Sequence, residues 1–458
     1  MGNKVIIVVL LCLLALNADG NDNVAPSGTL PILYVNTDSC QAIVDKDVYV
    51  DGSCYLDALD LDGFESIGSQ ENPLRLKIKG RGNWTWITFD KKPYRIKLET
   101  KQSLLGMSES RHFVLLAHVE DRFGYVREST AFELSRRIGL SYTPAEQPIE
   151  VVLNGDYIGI YFLTEQIRVA SNRVNIIEQD DDETDPEKVT GGWLLELDGH
   201  DDENLIVLGS RDGYWFPLVS HSPEKLSDEQ YNYLVNYINL IDSLIYDSGV
   251  DNCEWANYLD IDSLACYYLV NEVMDNIEAF SGSCYMHKNR GDESKLIFGP
   301  VWDFGNAFNR SELTFIYDNS QYMCHWLNGV IRFPKFRECV RRHWEDFYND
   351  GLQDIDQFID NYAGRIQAAC VSNCERWPQY GYTDVWERKE QFKNKLHAKI
   401  DFLNDQFAGL NESLERCEID EIQYVDLLGR ISQRPFKGLN IVITIYRDGH
   451  TSTVKMIL

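Results

Sequence analysis

The chain has 458 residues, 44% of them hydrophobic and 12% aromatic. That is enough to bury a full core in one large two-lobed domain or in two to three ordinary ones. The formal net charge is −29, a surface that repels nucleic acid and anionic lipid, so neither is expected as a partner.

The N-terminus reads Met1-Gly2-Asn3-Lys4, then an apolar run from Val5 to Leu16, then Ala18-Asp19-Gly20. A basic start, a short apolar stretch and a small-x-small site predict a secretory signal peptide over residues 1–20, cleaved near Gly20. The run is too short for an ordinary membrane span. Cys12 follows Leu11, which does not suit lipid attachment. No other segment is apolar enough to span, so the mature chain is expected outside the cytoplasm, secreted or at the cell surface. Removing Cys12 leaves ten cysteines, an even number that permits disulfides in an exported chain. Cys370 and Cys374, four apart in a helical pattern, are either a local bridge or two buried thiols. No Cys-x-x-Cys pair or Cys/His cluster along the sequence suggests zinc.

From Leu30 to Leu98 the pattern is mostly that of strands. "LRLKIKG" (74–80) and "PYRIKLE" (93–99) alternate with period two, and "GRGNWTW" makes a turn between them. Residues 126–138 have helical periodicity and stop at Gly139. "PIEVVLNGDYIGIYFLTEQI" (148–167) predicts a hairpin turning at Asn154-Gly155. An acidic surface loop (179–187) and a strand (191–198) follow. Helices are predicted over 226–247, 262–276, 337–349, 352–375 and 385–408. The last forty residues are β-rich again, with a turn at Asp448-Gly449. Strands first and helices later predict an α+β fold with a sheet-rich lobe and a helical lobe.

Four features could carry chemistry. Residues 75–101 hold nine basic residues and only two acidic ones, Asp90 and Glu99, in an otherwise acidic chain. Lys77 and Lys79 share one strand face, as do Arg95 and Lys97. If the strands pair, like charges face one another, which is unfavourable unless an anion sits among them. The alternative is a solvated basic face. Gly80-Arg81-Gly82-Asn83 lies in the turn between these strands, where glycines let backbone N–H groups approach a phosphate. Lys97 sits late in the second strand, and a strand lysine of this kind pairs with a helix acid. The next helix offers Glu128 and Glu133, and Glu133 equally suits Arg136 or Arg137 at helical spacing. Last, a helix ending near Asn276 leads through an acidic loop and two strand-like stretches into Asp303-Phe304-Gly305. Asp303 follows an apolar run, where a carboxylate is costly unless paired or bound to a metal.

In order and in wording, "KGRGNWTW", "KKPYRIKL", "SLLGM", "NGDYIGIYFLTEQI", "NRVNI", "GGWLLELD" and "GPVWDFGNAF" resemble the spore coat protein H (CotH) family of atypical secreted kinases. The resemblance covers about residues 30–310, and the helices to about 410 suit the rest of such a domain. It implies an atypical protein-kinase-like, two-lobed domain over 30–410 that uses ATP with Mg²⁺ (or Mn²⁺) to phosphorylate Ser or Thr of secreted or cell-surface proteins. Carried over by position, Arg81, Gly82 and Asn83 would meet the phosphates and Lys97 would pair with them. Thr164, Glu165 and Gln166 would lie at the adenine-side hinge. Asp303, with Asn276, would hold the metal. The family often shows Asn-x-Asp in the loop that supplies the catalytic acid. Here the positions read Asn276-Ile277-Glu278, so Glu278 takes that place, with Asp275 as the alternative. Ser283 stands where a kinase has its metal-binding Asn. These two departures support a rival reading, a non-catalytic surface protein, adhesin or assembly factor that keeps the fold. The tail 418–458 resembles C-terminal β segments used for surface sorting, or is a packing segment.

Overall fold

The computed structural model describes residues 24–198, 205–208, 216–319, 321–322, 324–416, 419–426, 429–437, 439–446 and 451–457. The expected signal peptide, the Asp448-Gly449 turn, Cys12 and Cys417 lie outside these residues. The chain divides into two compact units, Met1–Leu396 and His397–Leu458.

The first unit opens with β1 (Ile32–Thr37), β2 (Val50–Asp57), β3 (Leu74–Gly80), the short helix α1 (Trp84–Thr88), β4 (Tyr94–Gln102), β5 (Ser110–Leu116), α2 (Arg127–Ile138), β6 (Glu146–Leu153) and β7 (Asp156–Glu165). The seven strands form a closed barrel in the order β1-β2-β3-β4-β5-β7-β6. Alternation does the work: Leu76, Ile78, Ile96, Leu98, Phe113 and Leu115 point inward and are buried, each contributing about 1.5–3 kcal/mol. β6 and β7 turn at Asn154 (φ +53°) and Gly155 (φ +85°), the left-handed pair that Asn-Gly favours. α2 stops at Gly139, which takes φ +88°.

The α+β class read from the sequence is the one found, but its sheet-rich part is a barrel. Closure depends on the parallel pairing of β1 with β6, Ile32 opposite Glu150, a long-range match that no local pattern announces. The barrel also belongs to the same compact unit as the helices up to Leu396.

Next come β8 (Trp193–Leu197), β9 (Leu205–Leu208), β10 (Phe216–Ser222), α3 (Asp228–Tyr246), α4 (Ile261–Val273), β11 (Cys284–Lys288) and β12 (Leu296–Phe298). Five of these strands form a second sheet, β12-β11-β8-β10-β9. Every residue of α4 from Leu264 to Val273 is buried, so this helix is a fixed core rod. α5 (His325–Val330), α6 (Pro334–Asp346), α7 (Ile355–Arg376) and α8 (Val385–Arg416) follow. α8 runs past the unit boundary. The second unit carries β13 (Ile419–Val425), β14 (Ile431–Ser432), β15 (Leu439–Tyr446) and β16 (Thr451–Ile457), an antiparallel sheet in the order β14-β13-β15-β16. The nine cysteines among the described residues are free thiols, Cys370 and Cys374 included. Of the two readings for that pair, the unbridged one is found, and Cys370 is the buried member.

Candidate active site

A cavity of about 1030 Å³ lies in the first unit between the β3–β4 loop, the second sheet and the D-F-G turn. One wall is basic. β3 and β4 pair with Lys77 opposite Lys97 and Lys79 opposite Arg95. Like charges directly opposite destabilise a sheet. Lys77 has Asp51 at 3.3 Å, and both are exposed. Burial lowers the Lys79 pKa, and Arg95 lowers it further. Arg95 Nε is buried without a hydrogen-bond partner. Arg81 lies over the Trp302 ring at 5.7 Å, and burial, followed by Arg95, makes its charge harder to hold. Every one of these strains would be relieved by an anion.

The loop joining the two strands packs tightly on its own side chains, and this requires its glycines. A side chain at Gly80 would meet the Trp86 ring at 2.4 Å, and one at Gly82 (φ +80°) would meet Thr85 Oγ1 at 2.6 Å. Asn83 accepts from Lys46 Nζ at 2.7 Å, which brings one more cation to the rim.

The facing wall is acidic. Asp303 is exposed and takes φ +61°, a conformation that needs support in a residue with a Cβ. Glu128 supplies it, accepting from the N–H groups of Asp303 at 3.2 Å and Phe304 at 2.8 Å. Burial pushes the Glu128 carboxyl up to about 7, with Asp303 adding to the rise and His118 opposing it. Burial works against a charged His118, but Glu146 at 3.4 Å outweighs it and leaves the imidazole pKa above its usual value. Glu120 accepts from Trp84 Nε1 at 2.9 Å. Its pKa is raised by burial and then by Asp303. Carboxylates that repel one another across a cavity suit a cation between them.

The loop after α4 completes this wall. Asn276 Nδ2 donates to Asn271 Oδ1 and to the Asp303 carbonyl, each at 3.1 Å. Its Oδ1 is buried with no hydrogen-bond partner, which is the acceptor a metal ion would use. Glu278 opens onto the cavity and accepts from Asn306 Nδ2. Ser283 (φ +50°) also lines it.

The structure thus gathers Arg81, Gly82, Asn83, Glu278 and Asp303 around one space, with Asn276 bonded behind Asp303. Other expected residues stand elsewhere. Lys97 and Gln166 line an adjoining hollow of about 570 Å³ together with His112 and Arg168. Arg81 and Arg95 line both spaces. Lys97 makes no ion pair with Glu128 or Glu133 among the described residues: Glu128 holds the D-F-G turn, and Glu133 pairs with Arg136 and Arg137. The expected lysine–helix acid pair is therefore not formed. Glu165 does not face the cavity; it is buried against Arg173 at 2.8 Å and accepts from Tyr142 and from the Ser108 and Ala145 N–H groups. Asp275 is held by the Arg310 guanidinium, Nη2 to Oδ1 at 2.6 Å and Nε to Oδ2 at 3.0 Å. That grip removes Asp275 as a free base.

Sequence reasoning missed Glu120, Glu196 and His221. Glu196 on β8 and His221 on β10 meet at 2.5 Å on the cavity wall. Glu196 lies within the stretch "GGWLLELD" but was not singled out there, His221 sits in a strand with no motif around it, and Glu120 follows β5 in an unremarked loop.

A glycine-containing loop under a basic strand pair, faced by a D-F-G turn among carboxylates, has the parts of a kinase-like site. The CotH kinase protein family matches residues 78–406, most of the chain, and the protein belongs to that family. The match starts inside β3, so β1, β2 and most of β3, which close the barrel, precede it. Comparison with curated proteins returns no match. Among the described residues no helix is long and apolar enough to cross a membrane.

Proposed function

We propose that the protein is an exported kinase-like enzyme that binds ATP with Mg²⁺ or Mn²⁺ and transfers the γ-phosphoryl group to Ser or Thr of a secreted or cell-surface protein. The observation that carries this reading is the register of β3 and β4, which sets Lys79 opposite Arg95 on one wall of a cavity whose facing wall holds repelling carboxylates. A polyanion bridged by a divalent cation satisfies both walls at once. The two-lobed kinase arrangement then corresponds to the barrel on one side of the cavity and the α4 and D-F-G side on the other.

The residues fit the cofactor. Arg95 lines the cavity with an unpartnered buried Nε, and Asn276, bonded behind Asp303, has an unpartnered buried Oδ1. Arg81, Lys79 and Arg95 would neutralise the phosphates, with the Gly82 and Asn83 backbone close by. Lys97 and Gln166 would serve the adjoining hollow. Asp303 and Asn276 would hold the metal, and Glu128 keeps the D-F-G turn in its left-handed shape. When bound, ATP with its metal supplies the transferable phosphoryl group. Glu278 would orient the acceptor hydroxyl and take its proton, and Asn306 fixes the rotamer of that carboxylate. Catalysis would be mainly positioning and charge neutralisation.

A second reading rests on Glu278 and Ser283. A Glu in place of the family's Asp moves the carboxylate by about one C–C bond, and a shift near 1 Å can cost about 10²-fold. A non-catalytic surface protein would keep the nucleotide site without transfer. Incubating the mature protein with γ-labelled ATP, with and without Mg²⁺ or Mn²⁺ and over a panel of secreted proteins, separates the two. Metal-dependent label on Ser or Thr supports the enzyme. Binding of ATP with no transfer to any protein supports the rival.

A further inference from the structure

Away from this cavity, α4 and α6 pack side by side and bring together four metal-binding side chains. Asp262 and Cys266 are four apart on α4, and Cys339 and His343 are four apart on α6, so each pair shares one helix face. Asp262 Oδ1, Cys339 Sγ and a His343 ring nitrogen all lie within 4.8 Å of one another. His343 Nε2 stands 2.8 Å from Asp262 Oδ1, and Cys339 Sγ 3.4 Å from the same oxygen. The other ring nitrogen, Nδ1, is 3.5 Å from Cys266 Sγ. Ligands bonded at about 2.0–2.3 Å to a tetrahedral zinc ion stand roughly 3.3–3.8 Å apart, so small side-chain shifts would bring the three to bonding distance.

A cation already marks the point of convergence. Arg342 Nη2 contacts Asp262 Oδ1 and lies 3.5 Å from Cys339 Sγ and 3.4 Å from His343 Nε2. The Asp262 and Arg342 side chains are 54% and 61% exposed, so the arginine can swing into solvent and an ion can enter. An exposed Asp–Arg pair alone contributes little to stability. It explains neither the two thiols nor the imidazole turned toward the same place.

We infer that Asp262, Cys339 and His343 form a zinc(II) site that staples the start of α4 to α6. His343 binds through Nε2, Cys266 holds Nδ1 and thereby the ring orientation, and solvent takes the fourth position. Cys339 binds as the thiolate, giving its proton to solvent as the metal arrives. The opposite end of α4 leads into the loop of Asp275, Asn276 and Glu278, so the staple would steady the rod that carries that loop.

The test uses the full mature chain, purified with reductant and titrated with Co²⁺ and then Zn²⁺ under excess Mg²⁺. One Co²⁺ per chain, with tetrahedral d–d bands and a thiolate-to-cobalt charge-transfer band that Zn²⁺ abolishes, is the expected result. Cys339→Ala should remove the charge-transfer band, and Asp262→Asn and His343→Gln should weaken Zn²⁺ binding by about 10-fold or more. Cys266→Ser should keep the band, and Arg342→Ala should tighten binding. Cys339 is buried and its variant could unfold, but Asp262 and Arg342 are exposed, so their variants decide the matter alone. A parent with no charge-transfer band, equal Zn²⁺ affinity in parent and Asp262→Asn, or a Cys266–Cys339 disulfide in protein purified without reductant would overturn the site.

Discussion

The basic wall of the cavity comes from two adjacent strands, whereas its carboxylates are gathered from the loop after β5, from α2, from the loop after α4 and from the turn after β12. The first wall is made by local repetition: period-two alternation puts Lys77, Lys79, Arg95 and Lys97 on one face, and hairpin register sets them opposite one another. The second is made by tertiary folding, and its parts hold one another in place. Glu128 fixes Asp303, Asp303 accepts Asn276, and Asn306 holds Glu278. Removing a residue from the first wall should subtract one charge. Removing one from the second should disturb a network.

Asp303→Ala should therefore have the largest effect. Asp303 is exposed, so the fold should survive, while phosphoryl transfer falls by about 10²–10³-fold or more and nucleotide binding loses its metal dependence. Calorimetry with ATP, with and without Mg²⁺, checks the second point. A variant that binds ATP with unchanged metal dependence would place the metal elsewhere and leave Asp303 as a structural turn.

The same contrast explains what could be read from the sequence. The strand pair, the Asn154-Gly155 hairpin and the helix ending at Gly139 were legible because periodicity and left-handed residues act locally. The like-charge confrontation was legible for the same reason. Barrel closure was not, since the β1–β6 pairing joins distant segments. Nor was the fate of the acids: Glu165 looks like a hinge residue until Arg173 is found against it, and Asp275 looks available until Arg310 grips it. Glu120 carries no motif at all. Asp262, Cys266, Cys339 and His343 read as unrelated residues on two helices until the helices pack.

Glu278 comes next in expected effect. Glu278→Gln keeps the side-chain shape but cannot take a proton, so transfer should fall by about 10²-fold or more with ATP affinity nearly unchanged. Glu278→Asp restores the family's shorter acid and should retain or raise activity. Transfer that survives the glutamine would move the proton acceptor to another carboxylate of this wall. Glu120, which also lines the cavity, is then the one to replace.

On the basic wall, Arg81→Ala and Lys97→Ala should each weaken ATP binding by about 1–3 kcal/mol, the scale of a lost charge-assisted hydrogen bond. Unequal losses would sharpen the picture. Arg81 lines both spaces and Lys97 only the smaller one, so a silent Lys97→Ala with a weakened Arg81→Ala places the phosphates in the main cavity alone. Equal affinity in the parent and both variants would restore the plain reading of a solvated basic face.

The smallest effect is a titration, and it reports where the anion sits. His112 pairs across from Lys97 on β5. Burial, then Arg168, Lys97 and Arg95, hold its pKa down to about 4. Its folded-state value lies below the unfolded one, so the unfolded chain binds more protons between pH 4 and about 6.5. Its contribution to stability is therefore full above that window and is lost as pH falls through it. A bound polyanion in the smaller hollow cancels part of the surrounding positive charge and should raise the His112 pKa toward its ordinary value. Binding would then take up protons between the two values, and affinity should increase as pH falls from 6.5 toward 5. Following the His112 ring resonances through a pH titration with and without ATP or pyrophosphate measures this directly. A resonance that titrates near 4 in both states would put the anion beyond the reach of His112, in the main cavity with Arg81 and Lys79. The strand face of Lys97 would then be a source of field rather than a contact.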